Sequence, residues 1–173
     1  MINSIDLTIG TAILLIGMAY WTVSIVEHNN NYVDAVKTDY LFDKGISVME
    51  SMVKDRTLQD IVLLYYFNNT EYAKELVKQR IPFKKYKFEI DGNVLIDNLN
   101  NPNRTICVIA VLTLNRTEGW YVIYGNSSEI KISNKRFIDW LEAYNRYSSY
   151  EIDTPVYLSR NITSSEVKLY LSN

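Results

Sequence analysis

Hydrophobic residues form one long run near the start of the chain. Between residues 5 and 26 the only charged side chain is Asp6, and Tyr20 and Trp21 lie toward the far end of the run. At about 1.5 Å per residue, a helix of this length reaches roughly 30 Å, the thickness of the hydrocarbon core of a bilayer. The pattern therefore predicts a transmembrane helix; the alternative is a buried helix, although a chain of this size offers little to surround it on all sides.

Helical spacing continues after this run. Apolar residues recur every three or four positions at Phe42, Ile46, Met49 and Val53, as on one face of a helix. The three asparagines at residues 29–31 either lie inside one long helix or break it. Thr57, with Asp60 three residues later, is close to a capping box and predicts the start of another helix. A third helical pattern ends before Pro82.

From Tyr86 onward the spacing changes to the alternation that is typical of β-strands. The stretch YKFEIDGNVLID turns at Asp91 and Gly92, a strong signal for a two-residue hairpin. The apolar run ICVIAVLTL predicts a central strand in a hairpin with GWYVIYG, and a closing hairpin is predicted around NITSS. KRFIDWLEAYNRY returns to helical spacing. The predicted fold class is α+β: a long N-terminal hydrophobic helix, further helices, then a mostly antiparallel β-sheet with an inserted helix.

These patterns divide the chain into two predicted parts. Residues 1–28 are expected to be a transmembrane anchor helix, and residues 29–173 an extracytoplasmic α+β domain. Glycosylation signals of the form Asn-x-Ser/Thr favour this topology, because all of them follow the span. The candidate sites are Asn68, Asn103, Asn115, Asn126 and Asn161. The expected localisation is therefore the cell membrane, single-pass, with the C-terminal domain outside the cell.

Composition removes several classes of function. The chain carries 18 Lys and Arg against 20 Asp and Glu, and this mild acidity argues against a nucleic-acid partner. With His28 as the only histidine and Cys107 as the only cysteine, neither a Cys–His catalytic pair nor a thiolate metal cluster is expected. Asp91, Asn93 and Asp97 offer oxygen ligands for calcium, but a hairpin turn is the preferred interpretation. We therefore expect no enzyme activity, no catalytic or metal site and no cofactor.

The opening residues resemble those of a known family. A hydrophobic N-terminal helix with an acid at its head, an amphipathic continuation and a C-terminal antiparallel sheet are similar to type IV pilins and pilin-like secretion proteins of the archaeal style. The resemblance implies that the hydrophobic helices pack together in a filament core. It also implies that Asp6, where the family usually has Glu, pairs with the terminal amine of a neighbouring subunit. The alternative places Asp6 among hydrated lipid headgroups, where a charge near the chain start costs little.

Two functions from different classes remain open. The first is a pilin-like structural subunit of a cell-surface filament or secretion pseudopilus, which self-associates or assembles with related subunits through its N-terminal helix. The second is a single-pass membrane protein whose external domain binds a ligand or partner. The first predicts one continuous helix through residues 29–31, whereas the second predicts a break there and a concave pocket in the sheet domain. A membrane-anchored enzyme is the least favoured.

Overall fold

Four helices and seven strands make up the described part of the chain. The computed structural model describes residues 4–99, 105–126, 129–146 and 150–172, with side chains described from residue 14 onward. The helices are α1 (Ser4–Lys54), α2 (Thr57–Tyr66), α3 (Thr70–Arg80) and α4 (Trp140–Arg146). The strands are β1 (Tyr86–Ile90), β2 (Asn93–Asp97), β3 (Thr105–Arg116), β4 (Gly119–Asn126), β5 (Glu129–Ile132), β6 (Ile152–Leu158) and β7 (Ile162–Ser172).

The chain divides into two compact units, Met1–Tyr40 and Leu41–Asn173. Helix α1 extends through residues 29–31 without interruption. Asparagine costs a helix only about 0.7 kcal/mol per residue relative to alanine, so three of them do not stop a helix that the flanking residues favour. The break that the ligand-binding alternative predicted at this triplet is not observed.

The prediction of a transmembrane helix is wrong. Within the residues that the structure describes, no helix is both long enough and apolar enough to cross a membrane. The apolar stretch with described side chains, residues 14–26, spans only about 20 Å at 1.5 Å per residue, against about 30 Å of hydrocarbon. Glu27 and His28 follow it directly in the same helix. The predicted single-pass anchor at residues 1–28 and the predicted cell-membrane localisation, with residues 29–173 outside the cell, are corrected on this ground.

The second unit contains two antiparallel sheets where the sequence predicted one. The strand orders are β2-β1-β7-β3 and β5-β4-β6. β1 and β2 form the predicted hairpin, since Asp91 (φ 48°) and Gly92 (φ 77°) both have the positive φ that a two-residue turn of this kind requires. This part of the sequence interpretation is confirmed.

The other two predicted hairpins are wrong. β3 pairs with β7, and β4 pairs with β5 and β6, so β3 and β4 lie in different sheets. The β3 ladder shifts register between Thr113 and Arg116, where Asn115 has a φ of 46°. Such a bulge bends the strand and carries the chain away from its partner. β6 and β7 are likewise in different sheets. Residues 159–161 connect the two sheets, and the rest of NITSS belongs to β7 instead of forming a hairpin turn.

The larger core cluster joins α1, α2 and α3 with the inward-facing residues of both sheets. Alternate residues of β1 and β7 are buried, namely Tyr86, Phe88, Ile90, Val167, Leu169 and Leu171. Helix α2 buries four consecutive apolar residues, 61–64, so this part of the helix is enclosed on most sides.

The last turns of α1 pack directly on the four-stranded sheet. Gly45, Met49 and Met52, spaced by four and three residues, are buried on one face of the helix. A Cβ atom at Gly45 would lie 2.9 Å from Leu171 Cδ1 and 3.0 Å from Val108 Cγ2. These distances are shorter than ordinary van der Waals contacts, so the absence of a side chain at residue 45 permits the close approach.

We predict that Gly45→Leu destabilises the protein by about 1–3 kcal/mol, because a side chain must be inserted into a filled contact. Gly17→Leu in the same helix is the matched control, since a Cβ there meets nothing within 4 Å. Urea unfolding followed by circular dichroism measures both variants. Equal losses at the two positions would contradict the packing described here.

Candidate functional site

Residues 14–26 of α1 form a continuous apolar surface, called here the apolar helix segment. Nine large hydrophobic side chains in it are exposed, by fractions from 49% at Ile25 to 79% at Tyr20. They are Leu14, Leu15, Ile16, Met18, Tyr20, Trp21, Val23, Ile25 and Val26. Successive residues of a helix point about 100° apart, so these side chains surround the helix instead of forming one stripe.

The structure does not gather the residues that the sequence singled out. Asp6 is a helical residue of α1, but its side chain lies outside the described ones, and Asn103 lies outside the described residues altogether. The other candidate asparagines are exposed and belong to different elements or loops: Asn68, Asn115, Asn126 and Asn161. Asn161 Oδ1 accepts a hydrogen bond from the Glu118 amide at 2.8 Å. Glycosylation at these positions stays a prediction.

A polar pocket of about 280 Å³ lies in the second unit, where the start of α2 meets residues of β3, β4 and β5. We call it the Asp60 pocket. It is lined by Asp55, Arg56, Gln59, Asp60, Arg116, Tyr124, Lys131, Ile132 and Asn134. Its lining therefore brings three cationic side chains and two carboxyl groups together.

The tight connection between α1 and α2 forms one side of this pocket. Arg56 adopts a left-handed conformation (φ 67°, ψ 2°) immediately before α2. The Thr57 amide donates to Asp55 Oδ1 at 3.0 Å, and Asp55 Oδ2 pairs with Arg80 at 3.0 Å. The predicted capping box is wrong, because Arg56 occupies the N-cap position without a side-chain cap bond. The carboxyl group of Asp60 is directed into the pocket instead.

Asp60 is a carboxyl group with a strongly perturbed acidity. Its Oδ1 accepts a hydrogen bond from the Ile132 amide at 3.3 Å. Burial raises the pKa of Asp60 from 3.8 to about 7, because desolvation outweighs that hydrogen bond and the attraction of Arg116, Lys131 and Arg56. Protonated and ionised forms therefore coexist near neutral pH. A titratable group shifted in this way inside a cleft is typical of functional sites.

Arg116 is held in a fixed orientation at the pocket wall. Its Nη1 donates to the Asn134 carbonyl at 2.6 Å, and its Nη2 donates to Asn134 Oδ1 at 2.9 Å. The guanidinium carbon also lies 5.6 Å from the ring centroid of Tyr121, a cation–π arrangement. All of these partners are neutral, so they orient the positive charge without neutralising it.

A second polar cluster, around Asp91, stabilises a turn. Asp91 Oδ2 accepts from the hydroxyls of Tyr66 and Ser165, and Oδ1 accepts from the Glu166 amide. Burial opposes ionisation, but these hydrogen bonds leave the pKa of Asp91 below its ordinary value. The carboxylate is thus occupied by protein donors, which supports the hairpin interpretation over a calcium site. In the part of the chain that the structure describes, no three His, Cys, Asp or Glu residues are grouped to hold a metal ion.

The Asp60 pocket is the feature that sequence reasoning missed. Its charged residues come from three separate parts of the chain, around residues 55–60, 116 and 131, and no short motif connects them. One signal was available. Asp60 stands within the apolar stretch LQDIVLL, and a carboxyl group beside residues that are buried in a helix is expected to be desolvated.

We predict that the stability of the protein falls by about 2 kcal/mol between pH 5 and pH 8, with Asp60 as the cause. Because its pKa is raised from 3.8 to about 7 in the folded state, the folded protein retains a proton that the unfolded chain has already released. Stability therefore decreases as pH rises through this window and levels off above it. Asp60→Asn should remove this part of the pH dependence. Asp43→Asn, at an exposed position of α1, should retain it, and urea unfolding at several pH values measures both.

Comparison with known proteins identifies a relative for nearly the whole chain. No family model matches the sequence, and no solved structure matches it. The protein of Methanocaldococcus jannaschii that bears the name "Uncharacterized protein MJ1471" is 61% identical over 175 residues, covering 99% of this chain and 98% of the relative. The matched region therefore includes α1, both sheets and the residues that line the pocket. The chain therefore belongs to the same protein family as MJ1471 of Methanocaldococcus jannaschii.

Proposed function

We propose that this protein is a non-enzymatic structural subunit, which assembles with copies of itself or with related subunits through the apolar helix segment. The observation that carries the proposal is the exposure of nine large hydrophobic side chains around residues 14–26. The segment contains no charged residue, so identical copies pack there without burying an unpaired charge. This mode of assembly is the one that the resemblance to pilin-like proteins implies.

The energetics favour several neighbours over one. Fully covering a large hydrophobic side chain contributes about 1.5–3 kcal/mol, so covering the whole segment contributes on the order of 10 kcal/mol. Association costs about 4–15 kcal/mol in lost translational and rotational freedom. A single neighbouring helix covers one side of the segment and recovers only part of the gain, whereas a bundle covers all sides. The proposed assembly is therefore a multi-copy bundle, as in a filament core.

The continuity of α1 supports the same proposal. The helix runs through residues 29–31 without a break, whereas the competing ligand-binding function predicted a break there together with a concave pocket in the sheet domain.

We predict that the full-length protein forms concentration-dependent assemblies, visible by sedimentation velocity and negative-stain electron microscopy. Ile16→Glu, at a side chain that is 70% exposed, should raise the concentration needed for assembly at least about tenfold, because each bundle would then bury a carboxylate. Ile138→Glu is the matched control, since Ile138 is 84% exposed in the second unit. A wild-type protein that stays monomeric at the highest concentrations, or equal behaviour of the two variants, would refute the proposal.

The pilin-like role of Asp6 makes a separate prediction. If its carboxylate pairs with the terminal amine of a neighbour, Asp6→Ala should weaken assembly more than tenfold, since the amine would be left unpaired in an apolar bundle. Asp6→Glu should assemble like the wild type, because it keeps the charge. Sedimentation of both variants decides the question. Normal assembly of Asp6→Ala would remove this pairing from the proposal and leave the apolar packing to be judged by Ile16→Glu.

A further inference from the structure

We propose that the Asp60 pocket binds a small tetrahedral oxyanion, a phosphate or sulfate group, between the side chains of Arg56, Arg116 and Lys131. This site is independent of the apolar helix segment and of the assembly proposed above. Its basis is the convergence of three cations, from the α1–α2 connection, from β3 and from β5, on one cavity.

The charges of the lining leave a positive surplus in the cavity. Asp55 is already engaged by Arg80 and by the Thr57 amide, so its negative charge is compensated away from the three cations. Asp60 is the remaining carboxyl group, and it carries a full negative charge only when ionised. An anion in the pocket therefore meets more positive than negative charge.

Arg116 is the anchor that gives the site its geometry. Its guanidinium is oriented by two hydrogen bonds to Asn134, of 2.6 and 2.9 Å. A guanidinium carries five N–H donors in a planar fork, so bonds at two nitrogens leave further donors for an oxyanion. Because the orientation exists before the ligand arrives, binding costs little further ordering of this side chain.

Lys131 and Arg56 supply adjustable charges. Lys131 Nζ pairs with Glu129 Oε1 at 2.6 Å, but both side chains are more than half exposed, at 51% and 65%. Exposed ion pairs of this kind are worth no more than about 1 kcal/mol, so Lys131 can exchange Glu129 for a bound anion. Within the described residues, Arg56 makes no side-chain hydrogen bond or ion pair, although its charge acts on Asp60.

Asp60 makes the site responsive to pH. The groups that face it are Arg56, Arg116 and Lys131, with Asp55 and Tyr124 also on the lining. When protonated, the carboxyl group donates a hydrogen bond to an oxyanion; when ionised, it repels the oxyanion. Protonation of Asp60 and anion binding therefore favour each other, and the coupling must be reciprocal.

The size of the cavity limits the ligand. A volume of about 280 Å³ lies just below the range of about 300–1,000 Å³ that holds drug-sized molecules. The cavity accommodates a free tetrahedral ion, or the phosphate group of a larger molecule whose remainder stays outside.

The test is calorimetric titration of the full-length protein with sodium sulfate at low ionic strength, at pH 6 and pH 8. Sulfate is suitable because its charge is constant across this range and it has no proton to donate. With a pKa of about 7, about nine-tenths of Asp60 is protonated at pH 6 and about one-tenth at pH 8. We expect saturable binding at pH 6 that weakens about tenfold at pH 8.

Variants separate the roles of the side chains. Asp60→Asn, which always carries a donor, should bind sulfate equally at both pH values. Arg116→Gln and Arg56→Gln should each weaken binding at pH 6 at least about tenfold, through loss of a charge-assisted contact. Lys74→Gln is the matched control, because Lys74 is a cation of α3 paired with Glu71 outside the pocket lining, and it should bind like the wild type.

The same titration with sodium phosphate distinguishes phosphate from sulfate as the preferred ligand. Monohydrogen phosphate retains an O–H group and can donate to the ionised Asp60 carboxylate, so phosphate should lose less affinity than sulfate between pH 6 and pH 8. Three results would overturn the proposal: no saturable heat with either anion at pH 6, wild-type binding by both folded arginine variants, or an unchanged pH dependence in Asp60→Asn. Circular dichroism checks that each variant is folded, and Arg56→Gln keeps the test decisive if Arg116→Gln does not fold.

Discussion

The close approach of α1 to the four-stranded sheet is the constraint on which the second unit depends. Gly45 lies against Leu171 and Val108 with no room for a side chain, and the two buried methionines that follow it continue the same face. This contact holds the last turns of α1 on the sheet, and only two residues separate the end of α1 at Lys54 from the start of α2 at Thr57. One of them, Arg56, has a left-handed conformation that reverses the chain within this short connection. Arg56 and Asp60 are therefore held close to the point where α1 packs on the sheet.

Asp60 links α2 to the three-stranded sheet through its bond to the Ile132 amide. Among the described strands, β5 is an edge strand that pairs with β4, and the amide of the next residue, Ser133, donates to the Val122 carbonyl. Since successive amides of a strand point in opposite directions, the Ile132 amide points away from β4 and needs another acceptor. A carboxyl group from the helix meets that need. Burial raises the pKa of Asp60 to about 7. The contact that joins α2 to the three-stranded sheet therefore also creates a group that titrates near neutral pH.

Local patterns were sufficient for some elements and insufficient for others, for identifiable reasons. The Asp91 and Gly92 turn was predictable because its signal lies in adjacent residues, one of them a glycine, and its partner strands are contiguous. The pairing of β3 with β7 was not, because it joins residues that are 46 to 67 positions apart and includes a register shift next to Asn115. The Asp60 pocket was not predictable from the sequence for the same reason, because its lining residues lie far apart along the chain. The capping-box pattern at Thr57 was misleading because the left-handed Arg56 took the cap position.

The two parts of α1 show what hydrophobic spacing can and cannot specify. Its last turns bury residues spaced by four and three, because they contact one sheet on one side. Residues 14–26 carry large apolar side chains on all sides of the helix. A helix that contacts only one neighbour would leave many of these side chains exposed to water. Spacing therefore indicates how many sides of a helix are covered, but not what covers them. For the proposed assembly, this makes a simple two-helix contact a poor fit to the sequence and favours packing in which each helix has neighbours all round.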